Sequence, residues 1–177
     1  MKKKLQIAVI GSAGKADYKG RGGSTQSMEN AAEQIGNLLA KEGAVVITGG
    51  KDGVMEAAGR GAKRAGGTTI GVVKGSKRRT SNQYTDIEVV SGMEASGLDE
   101  LLIILMSDAL IVVGGGAGTL QEIALAYRND KSIIVLEGSG GWGAVVANKY
   151  LDGRKRLKIQ TAKNAADAVE KALRYVK

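Results

Sequence analysis

Val112-Val113-Gly114-Gly115-Gly116-Ala117-Gly118-Thr119-Leu120-Gln121-Glu122 is the stretch on which the fold turns. The continuous apolar run Ala109–Val113 breaks into three glycines, and a helical pattern opens at Thr119. An unbroken β-branched run of this kind is the mark of a central parallel strand with both faces covered. Glycines at its end permit positive φ and bring backbone N–H groups close to a ligand, while a helix start adds unpaired donors and partial positive charge. Three successive glycines exceed what a tight turn requires. Gly114, Gly115, Gly116, Gly118 and Thr119 are therefore expected to cradle a phosphate, with the amides of Gly115–Thr119 pointing outward and the Thr119 hydroxyl as a further donor.

Working outward, the same strand–glycine–helix arrangement recurs. After Ala44–Thr48 comes Gly49-Gly50-Lys51-Asp52-Gly53, after the first strand Leu5–Ile10 comes a long loop from Gly11-Ser12 to Gly23, and after Ser132–Leu136 comes Gly138-Ser139-Gly140-Gly141-Trp142. Further strands are expected at Thr68–Val73, Ile87–Val90 and Leu157–Gln160, and helices at Ser24–Lys41, Gly53–Ala65, Leu98–Met106, Thr119–Arg128, Gly141–Tyr150 and Ala165–Tyr175. Strands alternating with helices indicate βαβ units and a parallel sheet. The expectation is a single α/β domain over residues 1–177: a Rossmann-like, doubly wound, mainly parallel sheet of about seven strands with helices on both faces. In such sheets ligands bind beyond the carboxyl ends of the strands where the winding direction changes, so the four glycine-rich loops converge on one crevice.

Composition narrows the chemistry. The 177 residues include no Cys and no His, which removes disulfides, thiolate metal sites, cysteine nucleophiles and the usual general base. Gly accounts for 27 residues, 15% of the chain and about twice the usual ~7%, whereas Pro is absent. The formal charge of +8 favours anionic partners, and five Tyr, one Trp and no Phe leave few platforms for stacking on single-stranded nucleic acid. No apolar run approaches the ~18 residues of a membrane span, which points to a cytoplasmic protein without a membrane partner. Lys74–Asp86 is polar and aperiodic and reads as a loop over one edge of the site; Ser96-Gly-Leu-Asp99 and Asn164-Ala-Ala-Asp167 have capping-box spacing. Generic nucleotide motifs fail: Gly11-Ser-Ala-Gly14-Lys15-Ala16 lacks the P-loop spacing, and Gly114–Gly118 does not match G-x-G-x-x-G.

Three motifs in order nevertheless carry a family likeness. Gly114–Glu122 resembles the P-G-G-x-G-T-x-x-E core of the LOG-like superfamily, once labelled "lysine decarboxylase-like", with Gly in place of the leading Pro. Gly49-Gly50-Lys51-Asp52-Gly53-Val54-Met55 matches its G-G-x-x-G-x-M element, and Gly140-Gly141-Trp142 matches a G-G-W element of its molybdenum cofactor carrier branch. The resemblance implies a binding protein for molybdopterin or molybdenum cofactor, or for a related ligand such as a nucleoside monophosphate. Gly49, Gly50 and Gly53 would wall the pocket, Ser12 would offer a hydroxyl, and Gly140 and Gly141 would close the fourth side. In the LOG enzymes the motif's Glu, here Glu122, works with an arginine on the preceding helix to cleave an N-glycosidic bond. That place falls at or near Asp99 here, and no Arg lies between Arg79 and Arg128. Asp99 is more simply read as a helix cap, and Lys74, Arg78 or Arg79 would supply the missing charge. The alternatives are a phosphoribohydrolase using Glu122, and nucleic-acid binding on the related core of the DNA-processing protein DprA. The resemblance also implies a homodimer or homotetramer.

Overall fold

The computed structural model describes residues 3–14, 24–94 and 97–174. Seven strands form one sheet: β1 Gln6–Gly11, β2 Val45–Thr48, β3 Thr69–Val73, β4 Ile87–Val90, β5 Ala109–Val113, β6 Ser132–Leu136 and β7 Gln160–Ala162. Six helices connect or flank them: α1 Gln26–Lys41, α2 Val54–Arg64, α3 Leu98–Met106, α4 Ala117–Arg128, α5 Gly141–Val146 and α6 Ala165–Arg174. The strand order is β4-β3-β2-β1-β5-β6-β7 and every pairing is parallel. From β1 the chain steps outward through β2, β3 and β4, then crosses back to β5 on the other side of β1. The winding therefore reverses between β1 and β5, the α/β Rossmann-like architecture expected.

Alternation along each strand divides the core in two. Ile7, Val9, Val46, Ile111, Val113 and Ile134 face α1, α2 and α6, while Ala8, Ile10, Ile47, Leu110, Val112 and Ile133 face α3, α4 and α5. All twelve are essentially fully buried, which is why β5 reads as an unbroken apolar run rather than an alternating one. On the first face α1 and α2 meet backbone to backbone. A Cβ on Gly36 would overlap the carbonyl oxygen of Ala58, and one on Gly61 that of Glu33. The crossing is flanked by ion pairs from Glu33 to Arg60 and Arg64.

Several boundaries differ from the sequence reading. The last strand runs over Gln160–Ala162 rather than Leu157–Gln160. Ile159 is buried in the second core and its N–H donates to Lys149 O, so the ladder to β6 opens only at Gln160. Helix α5 stops at Val146 rather than Tyr150, because Ala147 turns extended at ψ 136° and Asn148 follows at φ 60°. Helix α1 opens at Gln26 rather than Ser24, capped by Thr25, which accepts the Met28 N–H at 3.3 Å. Helix α3 starts from Gly97, whose N–H is accepted by Glu100 at 2.7 Å; Asp99 sits in the first turn instead of capping, and Ser96 lies outside the described residues. Before α6, Asn164 does accept the Asp167 N–H at 3.0 Å.

The stretch from Lys74 to Asp86 carries no helix or strand, as its composition suggested. It is held from below by Glu88 on β4, whose carboxylate accepts the N–H groups of Arg79, Thr80 and Ser81 at 2.5, 2.8 and 2.7 Å. Burial opposes ionisation of Glu88, but the bonds from Ser81, Arg79 and Thr80 outweigh it and bring the carboxyl down to about 2. Glu88→Gln exchanges one of these acceptor oxygens for a donor. Limited trypsin digestion should then cut after Lys77, Arg78 or Arg79 several-fold faster than in the parent; unchanged cleavage would mean that the loop is held by other means.

Candidate functional site

The reversal between β1 and β5 leaves a crevice at the carboxyl ends of the strands; three of the four glycine-rich loops line it, and the loop Gly138–Trp142, expected there as well, does not. Its cavity holds about 250 Å³ and is lined by Gly11 and Ala13 after β1, Gly49, Lys51 and Met55 after β2, Asp99, Glu100 and Ile103 from α3, and Gly116, Gly118, Thr119 and Glu122 from α4. A separate groove of about 630 Å³ runs along the outer surfaces of α1 and α2, remote from the strand ends.

The glycine run after β5 divides its labour. The Gly114 N–H donates to Ser139 Oγ at 2.9 Å and the Gly115 N–H to Ser12 Oγ at 3.0 Å, both buried. The Thr119 hydroxyl donates to the Gly11 carbonyl at 3.3 Å. These groups were expected to face a phosphate; they turn inward instead, because the sharp entry into α4 leaves buried polar groups that must be satisfied from within. Gly116 is the N-cap and makes no side-chain capping bond, while Gly116, Ala117 and Gly118 are exposed. The outward donors therefore narrow to the helix start at Gly116–Gly118.

The remaining expected residues shape the loop from behind. Ser12 is buried; besides accepting the Gly115 N–H, its carbonyl accepts that of Val54 at 3.1 Å. Gly53 packs on that same stretch, where a Cβ would stand 2.6 Å from Ser12 O. Gly50 donates to Thr48 Oγ1 at 3.1 Å and its carbonyl accepts the Asn82 N–H at 2.7 Å, while Asn82 Nδ2 donates to Lys51 O. The Lys74–Asp86 loop is thereby tied to the turn after β2. Gly140 caps α5, and Gly141 lies directly under the cradle: Trp142 N–H donates to Gly115 O at 2.9 Å and Gly143 N–H to Gly114 O at 3.1 Å. Gly141 has φ 60°, and a Cβ there would stand 2.5 Å from Gly115 O. Gly141→Ala combines left-handed strain with this overlap and should lower stability by roughly 2–4 kcal/mol in thermal or urea unfolding. A parent-like melting curve would show that the cradle is not braced in this way.

Electrostatically the cavity is a carboxyl pocket with a cation at its rim. Glu122 is only 8% exposed; no hydrogen bond from the described residues contributes to its electrostatics, and its carboxyl oxygens open on the cavity. Burial, then the negative charges of Glu100 and Asp99, push Glu122 up to about 8, against the smaller pull of Lys51. Glu100 is itself raised, by burial and then by its bond to Asp99. Asp99 is 5% exposed. Among the described residues no arginine lines the cavity, and Lys51 is the one cationic side chain that does. Among the described residues no group of carboxylates is arranged to hold a metal ion.

Lys51 also lines a neighbouring hollow of about 340 Å³ with Lys74, Lys77, Thr80 and Glu94. Lys51 and Glu100 were not singled out from the sequence as pocket residues. Lys51 carried a signal in its place inside the second glycine turn, whereas Glu100 was masked by an apparently ordinary capping pattern.

A Rossmann-like sheet with a glycine-rich helix start and a buried carboxyl at its switch point is an α/β domain with a candidate ligand crevice. The chain belongs to the SLOG cluster4 family, whose model matches residues 4–169. It is 37% identical over 142 residues to an uncharacterised protein of Archaeoglobus fulgidus, covering 77% of this chain and 86% of that one. Among solved structures it is similar to the molybdenum cofactor binding protein of Rippkaea orientalis, with a TM-score of 0.81, 29% identity and 99% of each chain covered. It is likewise similar to the molybdenum cofactor carrier protein of Chlamydomonas reinhardtii, with a TM-score of 0.76, 30% identity and 97% and 98% of the two chains covered. The resemblance to the carrier branch drawn from the three motifs thus holds across the fold. A likeness to DprA of Helicobacter pylori, at 20% identity, shows the fold alone. No helix among the described residues is long and apolar enough to cross a membrane.

Proposed function

We propose that this protein is a carrier-type binding protein for a phosphorylated, pterin-type ligand of the molybdenum cofactor class, held at the carboxyl edge between β1 and β5. The observation that carries the reading is the cavity's two-ended chemistry: a buried, unbonded carboxyl at Glu122 and an uncapped helix start with Lys51 at the mouth. Anions are favoured at a helix N-terminus and beside a lysine. Glu100 Oε1 stands 4.0 Å from where a Cβ of Gly118 would be, so repulsion directs the anionic group toward Gly116 and Lys51, with Lys74 and Lys77 beyond. The likeness to two molybdenum cofactor binding and carrier proteins over nearly the whole chain supports the same ligand class. Closed self-association and a cytoplasmic setting belong to this proposal.

Native mass spectrometry of the gently purified protein tests it. A phosphorylated pterin carried along with the chain is the expected finding; a chain that stays at its bare mass after exposure to molybdopterin would overturn it.

One observation favours a second reading. A carboxyl at about 8 remains protonated at neutral pH, as a general acid must, which suits cleavage of an N-glycosidic bond with Glu122 protonating the departing base. Against it, no arginine among the described residues lines the cavity in the manner of the LOG enzymes, and Asp99 stands near that place. Release of free base from nucleoside monophosphates, abolished by Glu122→Gln, would support this reading; intact nucleotide after prolonged incubation would exclude it for the substrates tried.

A further inference from the structure

The carboxyl end of the cavity bears on ligand choice, and the inference rests on the binding reading above. Gly49 has no side chain between Met55 and Ile103: a Cβ there would lie 2.9 Å from Met55 Sδ and 3.9 Å from Ile103 Cδ1. These two apolar side chains line the cavity together with the acid side chains of Asp99, Glu100 and Glu122. Glu100 already accepts the Gly97 N–H at 2.7 Å, and Asp99 lies within 3.4 Å of the same N–H. Glu122, more than nine-tenths buried, accepts nothing from the described residues. No buried side-chain oxygen or nitrogen among the described residues lacks a partner, so the unbonded Glu122 oxygens open on the cavity, where a ligand or water can meet them.

An unbonded carboxylate between apolar walls suits a planar heterocycle that presents two adjacent N–H donors. We infer that Glu122 reads the 2-amino-4-oxopyrimidine edge, the ring N–H and exocyclic amine shared by pterins and guanine, and thereby selects them over heterocycles that lack this donor pair. Ring and phosphate are then separated by the geometry itself. The 250 Å³ cavity takes the ring, and Lys51, shared with the 340 Å³ hollow, marks where the anionic arm leaves it. Adenine offers no such pair on one edge, and hypoxanthine keeps the ring N–H but lacks the amine.

Two acceptor oxygens are available only when Glu122 is ionised. Among the described residues the charged groups facing it are Asp99 and Glu100 from α3 and Lys51 from the turn after β2. Burial first, then Glu100 and Asp99, keep the empty site protonated near neutral pH, so binding of a two-donor edge expels a proton and tightens as pH rises toward 8.

The test is calorimetric titration of the full chain with GMP, IMP and AMP at pH 6.5 and 8.5, alongside molybdopterin, for the parent and Glu122→Gln. GMP should bind at least about tenfold more tightly than IMP or AMP, as one bidentate pair provides, and more tightly at pH 8.5 than at 6.5. Glu122→Gln, checked for folding by its melting curve, should erase both the preference and the pH dependence. If molybdopterin binds while the three nucleotides do not differ, or if the variant keeps the preference for GMP, edge reading by Glu122 is wrong and the carrier reading stands. If molybdopterin does not bind either, both fall.

Discussion

Glu122→Gln should make the ligand-free protein more stable, and increasingly so with rising pH. A carboxyl that sits at about 8 in the folded chain against an ordinary 4.5 binds its proton more tightly folded than unfolded. Between those two values the folded state holds a proton that the unfolded state has released, so parent stability falls as pH rises from about 4.5 through about 8. At about 1.4 kcal/mol per pKa unit, the loss above pH 8 is on the order of 5 kcal/mol, shrinking to roughly 1 kcal/mol near pH 5. Glutamine does not titrate, so urea unfolding at pH 9 should favour the variant by several kcal/mol while the two proteins converge at pH 5. A gap that does not change with pH would mean that Glu122 titrates normally. The carboxyl is thus expected to be a local cost that the fold bears for its ligand, the usual relation between stability and function at a built site.

Gly61→Ala should be the most damaging single methyl in the molecule's first face. The added carbon would overlap the carbonyl oxygen of Glu33, which belongs to the backbone of α1 and cannot swing aside. Parting α1 from α2 would open the core around Ile35, Leu39, Ala58 and Ala62 and pull on the Glu33 ion pairs. Overpacking of this kind costs typically 1–3 kcal/mol and more where backbone must move; a loss of at least ~3 kcal/mol in urea unfolding is expected. Gly66→Ala, where a Cβ meets nothing within 4 Å, is the control: its φ of 72° carries strain but no overlap, so its cost should be about 1 kcal/mol. Equal effects at the two positions would contradict the close helix crossing.

The architecture was legible because β5 and its glycines state it almost alone: an apolar run of five, then three glycines, then a helix, in a chain of alternating strands and helices. Boundaries failed where a tertiary bond overrode local pattern, as at Ile159, whose N–H goes to Lys149 rather than into the sheet. The candidate crevice at the strand ends was legible for the same reason as the fold. Its chemistry was less so. Glycine spacing indicates that amides can be exposed but not which way they point, and Ser12 and Ser139, far from the glycine run in sequence, take up the Gly115 and Gly114 amides. Asp99 and Glu100 look like helix-start acids; only the packing of α3 against α4 gathers them with Glu122 into one pocket.

Equilibrium titration of molybdopterin into the parent, Lys51→Ala and Glu122→Gln measures where the ligand's anionic group and ring are held. Saturable binding, weakened about tenfold by loss of the lysine charge-assisted bond and at least as much by Glu122→Gln, is the predicted result. Binding that both substitutions leave unchanged would place the ligand elsewhere on the molecule and contradict the account.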